Sequence, residues 1–120
     1  MSDIDKFNNE LDDAQLERLA ILAEELGEAQ QVIGKIIRHG YESYNPVVDT
    51  GMTNRRELER ELGDIALAVS MMTLNKDVSS AGIEARRRNK AVSIQRWLHH
   101  QTEVVTNEPL GRQGEGRRGD

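Results

Sequence analysis

The chain has 120 residues, a net charge of −5 and no cysteine, which excludes disulfides and thiolate metal sites. Its length allows one domain, and the few aromatics (Phe7, Tyr41, Tyr44, Trp97) beside plentiful Leu, Ile, Val and Ala suit an all-α domain better than a sheet protein. The acid surplus counts against general nucleic-acid binding. With no leader-like pattern after Met1 and no membrane-length apolar run, a cytoplasmic location is expected.

The first helical segment is expected to start after Asp12 or Asp13, either a good N-cap, and to run to about His39. Leu16, Leu19, Ala23, Leu26, Ile33 and Ile37 fall close to one stripe at helical spacing, so they are the expected core face. Arg38 and His39 followed by Gly40 form a helix stop: cations in the last turn, then glycine. Residues 41–52, with Pro46 and Gly51 and no period, read as a loop. A second helix is expected to open on Asn54 as N-cap with Glu57 three positions on. Leu58, Leu62, Ile65, Val69 and Met72 carry its stripe, and Asn75-Lys76-Asp77 ends it. A third begins near Ser79 or Ser80 and runs through Ile83, Arg87, Lys90, Ile94 and Leu98 to about Gln101, in one piece or in two pieces around Asn89. Residues 1–106 thus form the expected helical domain. The segment 107–120, with four glycines, three basic and three acidic residues, has the composition of a disordered tail.

The chemistry lies in a near-repeat, Glu25-Leu26-Gly27-Glu28 and Glu61-Leu62-Gly63-Asp64. Each copy sets two carboxylates at i and i+3, one turn apart on a helix face. One such pair is uninformative, since chance gives about four in a chain this acidic. Two pairs, each in mid-helix, each enclosing Leu-Gly and each bordering an apolar stripe, form a more specific pattern. Four carboxylates that share a pocket without a cation would shift their pKa values and take up protons. A divalent cation resolves that conflict, and an all-oxygen ligand set favours magnesium, manganese or calcium over zinc or copper. Gly27 and Gly63 each cost a helix about 1 kcal/mol relative to alanine, which suggests close approach of a neighbouring backbone or bound group.

Glu24-Glu25-x-x-Glu28 followed by Glu61-x-x-Asp64 resembles the paired-acid signature of the MazG-like all-α nucleotide pyrophosphohydrolases. The runs 24–40 and 54–65, and Arg96-Trp97-Leu98-His99-His100-Gln101, resemble short phage-type members in particular. The Glu28-to-Glu61 gap is slightly longer than the family's usual one. The resemblance implies a compact helical bundle, a homodimer or homotetramer, that uses Mg2+ (or Mn2+) to split nucleoside triphosphates into monophosphate and pyrophosphate. It makes Glu25, Glu28, Glu61 and Asp64 the catalytic metal ligands and leaves Glu24 either in an outer shell or facing solvent. It also points to a basic residue and an asparagine on the third helix.

A triphosphate needs fixed positive charge. Lys35 and Arg38 follow Glu28 along the first helix, and Arg86, Asn89 and Lys90 on the third are the further candidates for substrate binding. Histidines 99 and 100 read either as substrate contacts or as residues complementing a helix dipole. Two rival readings stay open: a non-catalytic helical module whose acidic face docks a basic partner, and nucleic-acid binding through the arginine cluster.

Overall fold

The computed structural model describes residues 8–47 and 51–101, and among these the chain is all-helical with no strand. Helix α1 spans Asp13–His39, α2 Asn54–Leu74 and α3 Ser80–Ser93, followed by a 3-10 turn at Ile94–Trp97. The chain divides into two compact units, Met1–Asp77 and Val78–Asp120. The segment expected as a tail, 107–120, lies outside the described residues. No helix among those described is long and apolar enough to cross a membrane.

Helix α1 begins where its capping chemistry dictates. The Gln15 N–H donates to Asp12 Oδ1 at 2.7 Å and the Asp12 N–H to Gln15 Oε1 at 2.9 Å, a reciprocal capping box. At its far end Gly40, at φ +90°, donates its N–H to the Ile36 carbonyl at 2.7 Å. Helix α2 starts one residue earlier in register than expected. Thr53 is the N-cap, accepting from the Arg56 N–H at 3.3 Å, and Asn54 is the first helical residue. The loop decides this. The Asn54 N–H donates to the Ser43 carbonyl and its side-chain amide to the Gly40 carbonyl at 3.1 Å, so Asn54 is buried as the tie between the two helix ends. At the opposite end Arg18 grips Asp77 through two hydrogen bonds of 2.5 and 2.9 Å. These ties fix α1 and α2 antiparallel.

The face along which α1 packs differs from the stripe that hydrophobicity suggested, whereas most of the α2 stripe lies on the packed face: Met72 is buried, Leu58, Ile65 and Val69 are half-buried, and Leu62 is exposed. Ala29 and Val32 on α1 and Ala68 and Met72 on α2 are the buried apolar residues among those described in this unit. Leu16, Leu19, Leu26, Ile33 and Ile37 stay exposed, Ile37 at 80 %, as do Leu62, Leu67 and Leu74 on α2. The reason is geometric. A pair of helices shares a single face, and the line 18-25-32 on α1 runs along it, so the neighbouring line 19-26-33 is turned away by about 100°. Small Ala68, 1 % exposed, lets the axes approach.

In the second unit, Ser79 caps α3 by accepting from the Gly82 N–H at 3.1 Å. The helix passes unbroken through Asn89 and ends at Ser93, short of the expected Gln101. Side chains compete for the carbonyls of its last turn: Ser93 Oγ donates to Lys90 O and Gln95 Nε2 to Ala91 O, and the backbone tightens into the 3-10 turn. Leu98, His99 and His100 therefore follow the helical residues.

Candidate metal centre

The packed face of α1 and α2 carries the acids. On α1 the half-buried positions recur at Arg18, Glu25, Glu28 and Lys35, and on α2 at Glu57, Glu61 and Asp64, with Ala29, Val32, Ala68 and Met72 filling the space between. One carboxylate oxygen from each of Glu25, Glu28, Glu61 and Asp64 lies within 4.8 Å of all the others. The i, i+3 spacing on each helix produces this: antiparallel packing brings two carboxylates down from one wall and two up from the other. The structure thus brings together the four residues singled out by spacing. Glu24 is exposed and outside the group.

The electrostatics of the group are unfavourable without a counter-charge. Glu25 Oε2 and Glu61 Oε2 are buried and have no hydrogen-bond partner. Loss of water pushes the Glu25 carboxyl up to about 7, and the charges of Glu28 and Asp64 add to the effect. Glu61 is raised too, first by desolvation and then by Glu28 beside it and by Asp64. Two orphaned buried oxygens facing two further carboxylates are what an all-oxygen cation site offers, and a hard divalent ion would satisfy them. The donor chemistry fits magnesium, manganese or calcium; no nitrogen or sulfur donor is among the four.

Gly27 and Gly63, expected to sit beneath a close neighbour, do not. A Cβ built on either meets nothing within 4 Å, because both point into open space away from the packed face. The cations are placed differently from the acids. Lys35 stands seven residues beyond Glu28, about 10 Å along the axis and within about 20° of the same face. Its Nζ lies 3.5 Å from Glu57 Oε2, a partner that the sequence reading passed over. Arg38 folds back along α1, its Nη1 3.6 Å from the position of a Cβ on Gly34.

Lys35 and Arg38 join His39, Ser43, Tyr44, Asn45, Pro46 and Asn54 around a cavity of about 430 Å3 at the loop end of the helix pair. Asn54 and Glu57 were legible only as helix-start residues. The available signal was spacing, since Asn54 precedes Glu61 by seven, as Glu28 precedes Lys35.

Arg86, Asn89 and Lys90 belong to the second unit, on the exposed side of α3. In that unit Glu84 takes up Arg87 through two bonds of 2.8 and 2.7 Å and Arg88 through one of 3.2 Å. These guanidinium groups hold the Glu84 carboxyl down at about 2. No family model, curated protein or solved structure matches the chain.

Proposed function

We propose that this chain is a Mg2+-dependent nucleoside triphosphate pyrophosphohydrolase of the MazG-like all-α type, with Mn2+ able to replace Mg2+. It would cleave a ribo- or deoxyribonucleoside triphosphate to the monophosphate and pyrophosphate. The observation that carries this reading is the convergence of Glu25, Glu28, Glu61 and Asp64 within 4.8 Å, with two buried oxygens that no protein donor satisfies. When bound, the ion supplies Lewis-acid charge to phosphate oxygens and a water of lowered pKa, so no serine or cysteine nucleophile is required.

The chain's own contribution is placement and charge. Ala29 and Ala68 hold the helices close, so the carboxylates are in position before any ligand arrives. Glu25 keeps a proton up to about pH 7 and gives it up to a cation. Lys35, steadied by Glu57, offers fixed positive charge two turns from Glu28. Arg38 on α1 and Arg86, Asn89 and Lys90 on α3 are the remaining candidates for the polyphosphate.

The uncovered Leu19, Leu26 and Ile33 line, with Leu62, Leu67 and Leu74, favours a homodimer or homotetramer as the working form. The docking-module reading gains less support. Its four acids converge within 4.8 Å of one another and do not spread over an outer face as a docking surface would have them.

The test is incubation of the purified chain with magnesium and each common ribo- and deoxyribonucleoside triphosphate, with the products resolved. Monophosphate plus pyrophosphate, lost in Glu61→Gln, is the expected result. Diphosphate plus phosphate, or unchanged turnover in the variant, would overturn the reading.

A further inference from the structure

The cavity at the loop end of the first unit has a character of its own. Its lining comprises Lys35, Arg38 and His39 from the last turns of α1, Ser43 to Pro46 from the loop, and Asn54 from the start of α2. At about 430 Å3 it is in the size range of small-molecule sites. The chain carries a net charge of −5, yet among the described residues no acid lines this cavity, while two fixed cations and a histidine do. Glu57, on Lys35 at 3.5 Å, is the acid that meets one of them.

The obvious alternative is that basic residues at the end of α1 merely complement its dipole. That alternative accounts for the charges and leaves the built pocket unexplained. Asn54 is locked by its bonds to Ser43 and Gly40, and Arg55 is locked onto the loop by Glu42 at 2.6 Å and by stacking over the Tyr41 ring. The opposite wall is therefore held in a defined shape. The backbone N–H groups of Asn54, Arg55, Arg56 and Glu57 are already taken by Ser43, Tyr41 and Thr53. Attraction for an anion thus rests on the side chains of Lys35, Arg38 and His39. The Tyr44 ring and the amide-bearing Asn45 and Asn54 complete a lining of stacking and hydrogen-bonding surfaces.

We propose that this cavity binds a nucleoside phosphate in its own right, with the phosphate on Lys35 and Arg38 and the base against Tyr44. The inference rests on the hydrolase reading for its ligand class, since Lys35 and Arg38 are the cations that reading gives to the polyphosphate, but it needs no metal at the carboxylates. Loss of turnover with AMP binding kept would sink only the hydrolase reading, and loss of AMP binding with turnover kept would sink only this one. The experiment is titration of the full chain with AMP in EDTA at low salt, followed by amide chemical shifts. Saturable shifts confined to residues 35–46 and Asn54 are expected. Arg38→Glu, an exposed substitution, should weaken binding by about tenfold or more, whereas Glu61→Gln should leave it unchanged. Tyr44→Ala should weaken AMP while leaving the weaker binding of inorganic phosphate in place. The proposal is overturned if no saturable shift occurs, if the shifts centre on the carboxylates, if adenosine binds as tightly as AMP, or if Arg38→Glu binds like the wild type.

Discussion

Glu61→Gln should change the pH dependence of stability in the metal-free protein, in a direction fixed by the structure. The folded chain holds the Glu25 carboxyl at about 7, against an ordinary value of 4.5, and Glu61 is raised as well. The folded state therefore binds more protons than the unfolded state between these pH values: up to about one at Glu25 near pH 6, and about half a proton at pH 7. A state that binds more protons loses stability as protons become scarce. The melting temperature in EDTA should thus fall as pH rises from about 4.5 through 7, then level off.

The isosteric amide of Glu61→Gln removes one charge from the group and one of the two raised titrations. The falling limb should flatten, and above pH 7 the metal-free variant should melt higher than the wild type. Addition of Mg2+ or Mn2+ at pH 8 should raise the wild-type melting temperature by several degrees and the variant's by little. Melts followed by circular dichroism at low salt suffice. A wild-type melting temperature that rises across this window, or an equal slope in the variant, would refute the reasoning.

Three other outcomes follow from the same structure. Gly63→Ala should stabilise the chain by about 0.5–1 kcal/mol in chemical denaturation, since the new Cβ meets nothing within 4 Å; a loss of stability would show another surface packed there. Met72→Ala should cost about 2–4 kcal/mol in the same assay, because Met72 is one of the few buried apolar residues; a cost below about 1 kcal/mol would place the core elsewhere. Asp77→Asn should shrink the acid limb of the stability profile. Arg18 holds the Asp77 carboxyl below its ordinary value of 3.8, so the pair stabilises the fold above that pH and is lost as pH falls through the lowered value; an unchanged acid limb would contradict this.

What the sequence made legible was local or periodic. The start of α1 was readable to within one residue, Asp12 or Asp13, and the reciprocal bonds with Gln15 choose Asp12; the four acids were readable because i, i+3 spacing on a helix leaves little freedom. On α1 the core was misread for a physical reason, while on α2 the stripe found the packed face apart from Leu62. Leu19, Leu26 and Ile33 are more apolar than Arg18, Glu25 and Glu28, so a hydrophobicity stripe selects the outward line, while close packing at Ala29 and Ala68 selects the acid-bearing one. Thr53 and Asn54 are both capable N-caps, and only the loop contacts to Gly40 and Ser43 choose between them. The cavity around Tyr44 could not be read at all, since the loop that forms it has no period.

The most direct test of the central claim is titration of the metal-free chain with Mn2+, with the free-ion signal followed by electron paramagnetic resonance. Four carboxylates that converge on a cation predict saturable loss of the free-ion signal in the wild type, release of protons below pH 7, and affinity lower by about 10- to 100-fold or more in Glu61→Gln or Asp64→Asn. Binding of equal strength in wild type and variants, or no saturable binding, would contradict it.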